Sequence, residues 1–194
     1  MRLSLIPVLG LALALPLALC AADSSVLFEP SSQIPAEGGP GGEIAFFPGG
    51  TAFLSGGVGS VSIGHGVELG VGGYSLASEY VPSHDGVTYD VGYSYVGLLV
   101  DYTFFKRSLL SVNTSFLAGP AQGWSVARAA GADRVYSNFG QIEPSADLML
   151  NVTHQLRLGL GVSWRFCAGS DLDGVLGTDL NGGAVSFLML YGQN

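Results

Sequence analysis

From Leu156 to Phe166 the chain alternates without a miss. Leu156, Leu158, Leu160, Val162, Trp164 and Phe166 fall on one side of an extended backbone, and Arg157, Gly159, Gly161, Ser163 and Arg165 on the other. Period two of this kind defines a strand with one oily face and one face that is small or cationic. A soluble barrel would turn the oily face into its core; a membrane barrel would turn it outward to lipid. Which face points where decides the class of protein.

Composition favours the second arrangement. Only 11% of residues are charged, against roughly 25% in soluble domains, and Lys106 is the only lysine. There are 30 glycines in 194 residues. No stretch beyond the N-terminus approaches the ~18 apolar residues of a membrane helix, so a membrane reading means strands. The N-terminus itself reads as an export signal over 1–22. Arg2 precedes the apolar run Leu3 to Leu19, and Cys20-Ala21-Ala22 offers a small-residue cleavage site before Asp23. Leu17-Ala18-Leu19-Cys20 also resembles a lipobox with Cys20 acylated, although Leu19 stands where a small residue is favoured. Cleavage after Ala22 removes Arg2 and leaves 15 acids against 6 bases, a net charge of −9. Cys167 is then alone, and no intrachain disulfide is expected. An acidic chain without a basic run argues against nucleic acid as a partner.

The sequence divides into the signal, a Ser/Pro/Glu/Gly-rich leader over 23–42 and a strand meander over 43–194. Alternation places strands at roughly 43–49, 51–63, 67–78, 87–104, 109–119, 140–152, 156–167 and 183–191. Gly64-His65-Gly66, Phe105 to Ser108 and Thr153-His154-Gln155 are tight turns. Longer segments alternate with them at 79–86, 120–139 and 168–182. Short turns at one end and long loops at the other is how outer-membrane barrels sort their connections. The expected fold is therefore all-β: an antiparallel up-and-down transmembrane barrel of eight strands.

Strand 140–152 repeats the division of faces. Ile142, Pro144, Ala146, Leu148 and Leu150 oppose Gln141, Glu143, Ser145, Asp147 and Asn151, with Met149 breaking the polar row. In 87–104 the stripe begins on Tyr89, Val91, Tyr93 and Tyr95 and resumes on Val96, Leu98, Val100 and Tyr102, which predicts a bulge near Tyr95. The interior of an eight-stranded barrel is only just wide enough for side chains to fill. Small and charged residues suit it better than the large aliphatics do. The clear oily stripes contain no lysine or arginine, as a lipid-facing surface requires.

These features resemble the small outer-membrane barrels of the OmpA/OmpX/OmpW type, a likeness of architecture over 43–194. A closer likeness, over about 86–192, is to little-characterised bacterial barrel proteins. It rests on Tyr95 to Tyr102, Ile142-Glu143-Pro144, Leu156 to Gly161, Arg165-Phe166, Asp171-Leu172 and Asp179 to Gly182. The resemblance implies no known activity. It implies outer-membrane lipid and the barrel-assembly machinery as partners, a monomeric state, and a loop-bound partner of unknown kind. The ending Tyr191-Gly192-Gln193-Asn194 departs from the terminal aromatic that such barrels often carry.

Catalytic chemistry is not expected. Ser83-His84-Asp85 has the residue types of a triad, but sequence neighbours cannot form the spatial relay. There is no His-x-Ser pair of the lipid A deacylases, and Gly56-Gly57-Val58-Gly59 lacks the Lys of a phosphate loop. Asp171, Asp173 and Asp179 read as turn residues, not as a calcium loop. No cofactor and no metal are expected. The residues singled out instead are a polar lumen network. If Thr153 to Gln155 is a three-residue turn, Asn151 meets Arg157 and Glu143 lands opposite Arg165. Asp147 lies close enough to share the arginine, and Asp101 and Glu68 have the parity to point inward. The expected function is that of an interaction or structural protein working through its outer loops, or a narrow conduit for small, including apolar, solutes. A soluble or lipid-anchored periplasmic barrel binding an apolar ligand is the alternative.

Overall fold

A computed structural model describes residues 35–84, 86–106, 108–129, 131–169, 171–172, 175–176 and 180–192. These form eight long strands: β1 (Ala36–Phe47), β2 (Gly50–Gly64), β3 (Val67–Leu76), β4 (Val87–Phe104), β5 (Leu110–Ala127), β6 (Val135–Asn151), β7 (Leu156–Ala168) and β8 (Gly182–Gly192). Each pairs antiparallel with its neighbour in sequence, and β1 pairs with β8 to close the barrel. The expected signal over 1–22 lies outside the described residues, as does the leader up to residue 34. The remainder of the expected leader is a correction: residues 36–42 are the first half of β1, not a mobile segment.

The reason lies in packing that only glycine permits. At Gly39 a Cβ would stand 1.9 Å from the Met189 carbonyl oxygen of β8, which is backbone; at Gly42 the Phe187 ring, and at Gly41 the Tyr74 and Leu188 side chains, occupy the space a side chain would need. A run that reads locally as a loop is therefore a strand whose side chains have been removed to let neighbours in. Pro40, which has no N–H to donate, falls where the β1–β8 ladder skips two residues.

Two further expectations change. No bulge interrupts β4 near Tyr95: it keeps one register with β3 and with β5 along its length. Val91, Tyr93, Tyr95, Leu99 and Asp101 all face inward, and it is the oily stripe that switches sides. The expected 120–139 loop is mostly strand, since β5 runs to Ala127 and β6 starts at Val135, leaving a connection over 128–134. Among the described residues the one register shift lies between Ser62 and Gly64, beside the β2–β3 turn. There His65 (φ 54°) and Gly66 (φ 83°) both adopt left-handed backbone, as a two-residue hairpin of the primed type needs.

The tight turns 65–66, 105–109 and 152–155 share one end of the barrel with both chain ends of the sheet. The opposite end carries the connections 48–49, 77–86, 128–134 and 169–181. At that end Ser83-His84 pairs with Val87-Thr88, and Asp171-Leu172 with Val175-Leu176. Arg128 binds Asp90 at 2.6 Å, and this carboxylate holds the guanidinium above its ordinary pKa.

The faces point as a membrane barrel requires. Leu98 is 71% exposed, Leu160 63% and Val162 60%, whereas Arg157 and Arg165 are 2% and 1% exposed. The oily stripes do not turn inward as the soluble alternative needs; the interior holds the buried charges together with aromatics and a few aliphatics such as Leu54, Leu99 and Leu117. An apolar outer wall around buried charges is the inverse of a water-soluble barrel. It is what hydrocarbon surroundings demand.

Candidate functional site: the barrel interior

The interior is layered along the barrel axis. Nearest the long loops is an aromatic layer of Phe47, Tyr80, Tyr93, Tyr95 and Phe139, all buried. Tyr93 and Phe139 stack at 5.9 Å, and Phe47 meets Tyr80 at 4.9 Å. Tyr80 comes from the 77–86 connection, which bridges back to Val91. Leu180, at 0% exposure, comes from the connection before β8. Two loops thus fold side chains into the mouth and cap it.

Beneath this cap lies Arg165. Its guanidinium sits 5.3 to 5.7 Å from the rings of Phe47, Tyr93 and Tyr95. Nε donates to Glu143 at 2.9 Å and Nη2 to Glu43 at 2.6 Å. Glu143 also accepts from Ser163 at 2.8 Å, Tyr95 at 2.9 Å and Gln141 at 3.0 Å. Its carboxylate gathers donors from three strands, so a buried charge is stabilised by pairing and hydrogen bonding together.

Below Arg165 the walls mix hydroxyls and carboxylates with Val58, Leu99, Leu117, Leu188 and Leu190. Asp147 accepts from Ser186 at 2.8 Å and Ser145 at 3.2 Å, and Ser145 meets Ser115 at 2.5 Å. Gly161 opposite Asp147 is required: a Cβ there would lie 2.0 Å from the carboxylate. These groups surround a cavity of about 40 Å³, room for about three waters. Toward the turn end, Arg157 pairs with Glu37, and Glu68 accepts from Lys106 at 3.2 Å and Ser60 at 2.7 Å.

The sequence-derived network is thus distributed as follows. Glu143 and Arg165 meet. Arg157 and Asn151 are backbone partners, but Arg157 turns to Glu37 and Asn151 donates to the Ser108 carbonyl at 2.5 Å. Asp147 takes serine hydroxyls and, among the described residues, pairs with no arginine. Glu68 and Asp101 face each other across β3 and β4, both buried; Asp101 Oδ1 has no hydrogen-bond partner among the described residues. Glu43, Glu37 and Lys106 were missed. For Glu43 a signal existed, since it shares parity with Ala45 and Phe47 and opposes Ile44 and Phe46. For Glu37, set among glycines, there was none. Asp173 and Asp179 lie outside the described residues.

Fold and interior together define an eight-stranded transmembrane-type barrel with a filled lumen. Solved structures agree on the fold. The chain is similar to the N-terminal β-barrel domain of Pseudomonas aeruginosa OprF, with TM-score 0.54, 16% identity, and coverage of 82% of this chain and 98% of that one. It is similar to a major outer membrane protein from Thermus thermophilus, with TM-score 0.53, 13% identity, and coverage of 82% and 100%. Neisserial surface protein A gives TM-score 0.50, 13% identity, and coverage of 84% and 97%. No family model and no curated protein matches the sequence.

Proposed function

We propose that this chain is an exported outer-membrane barrel that acts as a structural or interaction protein, with a plugged interior and its outer loops as the working surface. The single observation that carries this reading is the filled lumen. An aromatic cap, a buried Arg165 layer and the Arg157 and Lys106 pairs obstruct the axis in succession, and the central void is only about 40 Å³. A solute conduit would need those layers to part. The exposed residues Ala77 to Glu79 and Gly131 to Arg134 of these connections then offer the surface for a partner on the cell exterior, and the protein works without catalysis, as a monomer inserted by the barrel-assembly machinery.

Liposome swelling and planar-bilayer recordings on refolded protein test the plug. The expected result is no sugar-sized flux and no sustained channel. Stable single-channel conductance would establish the conduit reading instead. Fractionation tests the membrane location: the protein is expected to stay with carbonate-washed outer membranes and to migrate in a heat-modifiable way. A compact monomer soluble without detergent would overturn it.

A further inference from the structure

We propose that the central cavity is a binding site for one hard divalent cation, of the calcium or magnesium class, with Asp101 and Asp147 as its charge partners. The inference rests on the lumen geometry alone and does not depend on what the outer loops bind.

Three of the described lumen residues are bases: Arg157, Arg165 and Lys106. Six are acids: Glu37, Glu43, Glu68, Asp101, Glu143 and Asp147. Arg157 is matched to Glu37, Lys106 to Glu68, and Arg165 is shared by Glu43 and Glu143. Asp101 and Asp147 are left without a basic partner among the described residues. Both are buried, at 6% and 3% exposure, and both line the cavity. Two buried carboxylates without counter-charge are costly, and a divalent ion in the cavity that both line would offset their charge.

Asp101 supplies an independent pointer. Its Oδ1 is buried and has no hydrogen-bond partner among the described residues, and the residue itself lines the cavity. The remaining lining is mixed: Val58, Leu99, Leu117, Leu188 and Leu190 are apolar, and the oxygens come from serine, asparagine and carboxylate side chains. Ser115 stands directly across from Asp101 on one side and from Ser145 on the other, and Asn113 is directly across from Asp147. Hydroxyl, amide and carboxylate oxygens are the donors that hard cations select. Among the described residues no three carboxylate, histidine or cysteine groups are close enough to cage a metal. The ion would therefore keep waters, for which the cavity has room.

Terbium is the probe, since it replaces calcium and can be excited through Tyr74, which lines the cavity. Refolded full-length protein in chelator-treated detergent buffer is expected to give tyrosine-sensitised terbium luminescence, displaced by calcium. Asp101→Asn, checked for folding by heat-modifiable migration, is expected to raise the half-saturating terbium concentration at least tenfold, about the loss of 1.4 kcal/mol. A variant with Asp171, Asp173 and Asp179 all changed to Asn is expected to retain the signal, which separates the lumen from the loop. Calcium is also expected to raise the wild-type unfolding temperature above that in choline chloride of equal ionic strength. Luminescence that survives Asp101→Asn but not the loop variant, or an unfolding temperature indifferent to calcium and raised only by protons, overturns the site. Should Asp101→Asn fail to fold, equilibrium dialysis of the loop variant decides: one calcium per barrel supports the proposal and none refutes it.

Discussion

Arg165 and Glu43 lie 122 residues apart in the chain, and Nη2 of the first donates to the carboxylate of the second at 2.6 Å. Arg165 sits near the end of β7 and Glu43 in the middle of β1, with β8 between them. The contact exists only because the barrel is closed. Glu143 approaches the same guanidinium from the other side, so one cation serves two buried acids.

This sharing makes the cost of substitution unequal. Arg165→Ala strands two carboxylates and is expected to destabilise the refolded barrel by about 3–5 kcal/mol. Glu43→Gln leaves Arg165 its bond to Glu143 and is expected to cost clearly less. A double-mutant cycle between positions 43 and 165, in urea unfolding from detergent micelles, should be non-additive; strict additivity would show that the pair does not couple.

The outward face offers a test with opposite signs for lipid and for water. Leu160 is 63% exposed at mid-strand on β7. In lipid, Leu160→Arg is expected to cost about 2–4 kcal/mol. On a water-facing wall the same change would be neutral or would improve solubility. Unfolding free energies in phospholipid vesicles distinguish the two.

Glycines in the wall should divide by what lies over them. At Gly119 a Cβ would be 2.1 Å from the Val96 carbonyl oxygen, which is backbone and cannot withdraw. Gly119→Ala is expected to cost about 1–3 kcal/mol. At Gly159 the obstacle is the Met149 sulfur at 2.6 Å, on a flexible side chain, so Gly159→Ala should fall at or below the low end of that range. Equal losses in thermal unfolding would contradict this ordering.

Orientation can be read by labelling. In a Cys167→Ser background, Asp133→Cys in the 128–134 connection is expected to react with an impermeant maleimide on intact cells. Phe105→Cys, in a tight turn and 72% exposed in the native residue, should react only after the outer membrane is permeabilised. The reverse pattern would invert the barrel.

Local pattern carried much of this architecture because strand period is a local property. The parity of Leu156 to Phe166 specifies that Arg157 and Arg165 share a side. The Thr153 to Gln155 turn sets the register that brings Glu143 opposite Arg165. Strand ends were less legible. Trp124, Tyr136 and their neighbours lie past the clear oily stripe and still pair, because two adjacent strands extend each other. In β4 the oily stripe changes faces while the backbone does not. Alternation alone could not tell a bulge from a barrel whose interior is aromatic at one level and polar at another.

By itself, then, the sequence determined the alternating strands, the tight turns and the side on which the β6 and β7 charges lie. Each follows from contacts between residues near in the chain or joined by one hairpin. Only the tertiary structure decided that Gly38 to Gly42 is strand, that Glu37 and Glu43 supply the partners of Arg157 and Arg165, and that Tyr80 and Leu180 cap the mouth. Those outcomes depend on β1 closing against β8 and on loops folding over the opening. What a side chain meets across the lumen is set by closure and stagger of the whole sheet, which no single strand encodes.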